Sequence, residues 1–196
     1  MIANVTIETS HLFASPLPAG NGYTWTLASR LGHIIRTAES LYGPRNLDFT
    51  VLGVELQGDI PKVWYPGNCG HVVIQITTNC VTDSMRACYQ MAHEAIHLLS
   101  PTGRGGTNVL EEGLATHFSA RYMREHCESP NWNANLPSYI RAQTLVEELL
   151  EFDSDIIRKL RALRRTFPEI SADDVLAEAS SVPPRLALEL TQPFER

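Results

Sequence analysis

Residues 93–97 read His-Glu-Ala-Ile-His, and after a gap of fourteen residues comes Glu112, within Leu-Glu-Glu-Gly-Leu-Ala. Two imidazoles one helical turn apart can bind one zinc ion through ring nitrogens at about 2.0–2.1 Å. A glutamate beside the first histidine is then close enough to take a proton from a metal-activated water without ligating the ion. Seven histidines in 196 residues make this spacing rare by chance. The competing reading is a pair of satisfied histidines at a helix edge, so the motif needs a third ligand.

The spacing predicts a helix over 83–99. Met85, Cys88, Tyr89, Ala92, Ile96 and Leu99 recur at steps of three or four, and Thr82 or Asp83 serves as the cap. At about 100° per residue, His93 and His97 share a face beside that core stripe, and Glu94 opens near them. A second helix begins near Asn108. Asn108-Val109-Leu110-Glu111 has capping-box spacing, which gives Glu111 the task of reaching back to the cap and leaves Glu112 for a metal. His117, five residues past Glu112, falls about 140° round the helix, at the edge of the packing stripe Leu110, Leu114 and Phe118. That favours Glu112. Pro101 and three glycines between the segments allow the chain to reverse.

HEAIH followed by LEEGLAT resembles the gluzincins, the thermolysin-like zinc peptidases and their aminopeptidase relatives. Ser100 and Gly103 stand where a metzincin would have glycine and histidine. The resemblance covers roughly residues 71–150. It implies His93, His97 and Glu112 as ligands of Zn2+, Glu94 as general base, and a peptide or protein substrate. Its short His97-to-Glu112 gap implies a compact member. PSYIRAQTLVEELL (137–150) is similar to the helix whose tyrosine, here Tyr139, donates to the oxyanion in the aminopeptidase branch. Packing at a helix N-terminus is the alternative role for Tyr139, and Tyr122 is a weaker substitute. The exopeptidase motif Gly-x-Met-Glu-Asn is absent, so amino-terminal specificity is not implied. In that family the strand before the metal helix binds extended substrate by β-augmentation, the place of HVVIQITT (71–78) here. A zinc-holding module of the same fold without turnover is the alternative function. A metal-free helical interaction protein is the more distant one.

The rest of the chain must position these residues. ANVTIET (3–9) alternates weakly as a strand, and SPLPAGNG (15–22) is turn-rich. Leu27, Leu31, Ile34, Ile35, Ala38 and Leu41 mark a helix stopped by Gly43-Pro44. Residues 47–56 and 71–78 read as strands, with a short strand and loop between them. Helices are expected near 83–99, 108–126, 138–152, 154–166, 172–180 and 185–190. The fold class is α+β, zincin-like by the resemblance. It has a small mixed sheet and N-terminal helix, then an all-helical C-terminal lobe, with the active-site helix between. One domain is expected, with lobes 1–82 and 127–196 flanking the metal-binding helices 83–126. Loops 59–70 and 127–137 would set specificity.

Net charge −6 argues against nucleic acid as a partner. No segment is long and apolar enough for a membrane partner. The basic run 156–167 reads as a solvated helix face. The N-terminus lacks a basic n-region, and Glu8 interrupts where a signal peptide is apolar. Cys69, Cys80, Cys88 and Cys127 form no Cys-x-x-Cys pair and read as reduced thiols in a cytoplasmic protein.

Overall fold

A computed structural model describes residues 25–67, 70–103 and 106–196. The strand expected at 3–9 and the turns at 15–22 lie outside them. The described residues form seven helices and a three-stranded mixed sheet, an α+β arrangement. None of these helices is long and apolar enough to cross a membrane.

Helix α1 (Leu27–Tyr42) begins at a reciprocal cap. Thr26 accepts from the Ser29 amide, and Ser29 accepts from the Thr26 amide. Leu31, Ile34, Ala38 and Tyr42 form its buried stripe, and Gly43 ends it with φ of 91°. Strands β1 (Thr50–Leu56), β2 (Lys62–Trp64) and β3 (His71–Ile76) pair in the order β1-β3-β2. β1 runs parallel to β3, and β2 runs antiparallel to it. β3 is buried along Val72–Ile76, as a strand covered on both faces must be.

This order corrects one expectation. β3 is the central strand, hydrogen-bonded on both sides, so HVVIQITT has no free edge for an extended substrate. Among the described residues, the edge strand toward the cleft is β2, only three residues long and set in a proline-rich segment.

Among the described residues eight elements follow: a 3-10 turn at 78–82, then α2 (Ser84–His97), α3 (Val109–His126), α4 (Pro137–Phe152), α5 (Ile156–Leu163), a second 3-10 turn (Phe167–Glu169), α6 (Ala172–Glu178) and α7 (Pro184–Leu190). α2 is the central helix. Its small residues Ala87, Cys88, Ala92 and Ala95 are fully buried, which lets α1, the sheet and α3 close on it. One apolar core joins α1, β3 and helices α2 to α7.

The basic run is not a uniformly solvated face. Arg161 donates to the carbonyls of Tyr42 (2.6 Å), Gly43 (2.8 Å), Pro44 (2.8 Å) and Leu99 (2.9 Å). Arg158 donates to Ser40 and Leu41. The last carbonyls of a helix lack intrahelical partners, and these two arginines satisfy them at the end of α1. Arg161 ties that end to the segment just after α2.

Candidate metal centre

The two histidines occupy the last turns of α2. Asp83 sets the start of that helix by accepting from the Arg86 amide at 2.9 Å. After His97 the chain reverses through Pro101 and Gly103, the latter at φ 77°. α3 then starts at Asn108, whose Oδ1 accepts from the Glu111 amide at 2.9 Å. Asn108 Nδ2 donates to the Phe167 carbonyl at 2.9 Å, and its backbone bridges to Pro193. Glu111 and Glu112 thus fall in the first turn, where the helix dipole favours anions.

His93, His97 and Glu112 converge, with one ligand atom from each lying within 4.8 Å of the others. Glu112 Oε2 is 3.2 Å from His93 Nε2, and Oε1 is 3.8 Å from His97 Nε2. Donors of a tetrahedral site with bonds of about 2.0–2.1 Å stand roughly 3.3 Å apart, so these residues fit a zinc-sized ion. Thr107 donates its hydroxyl to Glu112 Oε1 at 2.8 Å and fixes that carboxylate.

Glu111 departs from its expected role. Its amide is capped by Asn108, but its side chain does not return to the cap: Oε1 lies 2.8 Å from His97 Nδ1. The carboxylate is 2% exposed, and Oε2 is buried without a hydrogen-bond partner among the described residues. A carboxylate holding Nδ1 leaves Nε2 free to face the cluster, the usual arrangement behind a metal-bound histidine. Without a metal, burial would lower the His97 imidazole. Glu112 and Glu111 outweigh it and carry it up to about 10. Burial would raise Glu112, yet His97 and His93 hold it down to about 2.

Glu94 is 4% exposed and opens onto a cleft beside His93. Burial raises its pKa, with His97 and His93 opposing. The cleft has two arms that meet at His93, Glu94 and Tyr139. One, about 300 Å³, is walled by Tyr89, Trp132 and Leu136. The other, about 210 Å³, is walled by β2 residues, Tyr65 and Thr102. Both segments expected to shape specificity contribute, through Pro61 and through Trp132 to Leu136.

Tyr139 stands in the first turn of α4, its ring edge-on to His93 at 5.8 Å. Its hydroxyl accepts from Arg196 Nε at 3.1 Å, and Phe194 packs on the ring at 4.8 Å. What brings α4 so near is Gly113. A methyl there would sit 2.6 Å from the Ala142 carbonyl carbon and 2.8 Å from Val146 Cγ2. Tyr122 lies elsewhere, its hydroxyl 2.7 Å from His33 Nδ1, so it is no substitute for Tyr139. His117 is 3.1 Å from Glu147 and outside the cluster.

Sequence reasoning missed Thr107, Arg196 and the side-chain role of Glu111. The glycine after Glu112 was the one visible signal of the close α3–α4 approach. Comparison of the chain with protein-family models, with curated proteins and with solved structures gives no match.

Proposed function

We propose that this chain is a zinc-dependent metallopeptidase of the gluzincin type, a compact zincin-like domain acting on peptide or protein substrates in the cytoplasm. The observation that carries the reading is Glu94, buried at the junction of the cleft arms beside a His-His-Glu donor set. A site that only held an ion for stability would need no such base. His93, His97 and Glu112 would hold the zinc, which when bound supplies a Lewis acid and lowers the pKa of water toward 7. Glu94 takes the proton of the attacking water and returns it to the leaving amine. Its desolvated carboxylate, with raised pKa, suits both transfers. Glu111 keeps His97 in the required tautomer and orientation. Tyr139 faces the same junction and, while its oxygen accepts from Arg196, would donate its O–H to the oxygen that becomes negative. The short strand β2, an edge strand among the described residues, would pair with an extended substrate.

A second reading, a zinc-holding module without turnover, draws on Arg196, which lines both arms of the cleft and donates to Tyr139. One experiment separates the two. Purified protein is assayed for zinc, and a broad peptide library is incubated with wild type and Glu94→Gln. One zinc per chain in both, with cleavage only by wild type, is the expected result. Zinc without any difference in cleavage supports the silent module, and no zinc ends both readings.

A further inference from the structure

Beyond α7 the chain turns back across the start of α3 as a strap. The Gln192 carbonyl accepts from the Val109 amide at 3.0 Å, and the Phe194 amide donates to the Thr107 carbonyl at 3.0 Å. Pro193 bridges to Asn108, and the Phe194 ring packs on Tyr139. These contacts bring Arg196 to the junction of the cleft, where it lines both arms together with His93, Glu94 and Tyr139. Its Nε donates to the Tyr139 hydroxyl, and its guanidinium carbon stands 5.8 Å from the centre of that ring. The other cations of the cleft wall are engaged elsewhere. Arg86 pairs with Asp83, and the Lys62 ammonium lies over the Trp64 ring. Glu111 and Glu112 are taken up by the two histidines. Among the described residues no carboxylate pairs with Arg196, and the Tyr139 contact is its one hydrogen bond. Its two Nη groups thus face the cleft arms without a protein partner among those residues. They form the planar fork that matches a carboxylate bidentately.

We propose that Arg196 is a specificity-determining residue that binds a carboxylate of the substrate at the junction of the cleft. Such a carboxylate comes from an acidic side chain or from the free carboxyl terminus of a peptide, and both present the same pair of oxygens. Resting on the peptidase reading, the inference gives the cleft a preference for peptides anionic beside the bond to be cut. The Nε contact to Tyr139 and the strap hold the fork in place before a peptide arrives, so less freedom is lost on binding. A lysine there would bring the charge without the fork.

The test uses N-acetylated peptides of one uncharged sequence: one with a free terminal carboxylate, one amidated, and one amidated with a single glutamate in place of glutamine. Each is titrated by calorimetry into chelator-treated wild type, so that no zinc–carboxylate contact and no turnover contribute. At least one carboxylate peptide should bind about tenfold more tightly than the uncharged one, the gain of a partly exposed, charge-assisted bidentate pair. Which of the two does so names the source of the carboxylate. In Arg196→Gln the gap should close to within about twofold while the uncharged peptide binds as before, and Arg196→Lys should restore only part of it. A wild-type gap within about twofold, no binding of any probe, or a gap that survives Arg196→Gln would overturn the inference. Circular dichroism checks the variants, and the wild-type gap is read without them. Cleavage of the same peptides by zinc-loaded wild type is followed alongside. Cleavage with no carboxylate gap in binding defeats this inference alone. An Arg196-dependent gap without cleavage upholds it and defeats the peptidase reading alone.

Discussion

Replacing Glu111 tests whether the buried carboxylate behind His97 tunes the proposed ion. Glutamine keeps an oxygen able to accept from Nδ1–H but loses the charge. Alanine loses both. Hydrogen bonds to an ionised partner are roughly twice as strong as neutral ones, and outer carboxylates are worth about 10–100-fold in metal affinity. The 2.8 Å contact and 2% exposure of Glu111 place it at the strong end of such interactions. Glu111→Gln should therefore weaken zinc binding about tenfold, or about 1.4 kcal/mol. Glu111→Ala, which also strands a buried donor, should approach a hundredfold, about 2.7 kcal/mol. Competition against a chromophoric chelator at one fixed pH reads both, with circular dichroism to confirm folding. The cap is untouched, because Asn108 binds the Glu111 amide and not its side chain. Affinities for both variants within about twofold of wild type would refute the reasoning, since a group that orients a ligand must cost more than that.

Two further outcomes follow from the same geometry. Gly113→Ala should destabilise the fold by about 3 kcal/mol, because the methyl meets the α4 backbone, lowering the thermal midpoint by roughly 6–12 °C. A midpoint within about 1 °C of wild type would mean that α4 can shift freely. In chelator-treated protein, the raised His97 pKa contributes stability that is full below about 6.5 and lost as pH climbs toward about 10. The depressed Glu112 pKa contributes above about 4.5 and fades toward about 2. This pair thus favours the metal-free protein most between about pH 4.5 and 6.5. Zinc must displace the His97 proton, so its added stabilisation should grow from about pH 6.5 upward. Melting curves at two pH values, with chelator and with zinc, check both signs, and a zinc increment that shrinks at the higher pH would contradict the assignment.

How much of this was legible without coordinates depends on the range of the interaction. The i, i+4 pair His93 and His97 and the Asn108 cap are local, so spacing alone located them, and it narrowed the other cap to Thr82 or Asp83, of which Asp83 serves. Helix existence was equally local, and α2 to α7 fall close to their expected spans. Glu111 was misread for an instructive reason. At N3 a glutamate can return to its own cap, but here a buried imidazole fourteen residues earlier wins the carboxylate. The sheet order was invisible because β2 is three residues in a proline-rich stretch, and only pairing across residues 73–75 reveals it as the edge. Arg161 looked solvated because its four carbonyl partners lie 62 to 119 residues away.

Asn108 joins three distant stretches: its side chain serves the start of α3 and the carbonyl of Phe167, and its backbone meets Pro193. The placement of Glu112 therefore depends on chain synthesised well after it. During synthesis, His93 and His97 emerge before the segments that Asn108 ties together, so the third donor waits for the C-terminal helices to dock. Such long-range closure is slow and comes late in folding. The three-donor cluster is a property of the finished chain, so a nascent or truncated one, ending before residue 167, would hold the histidines without the geometry that makes them a site.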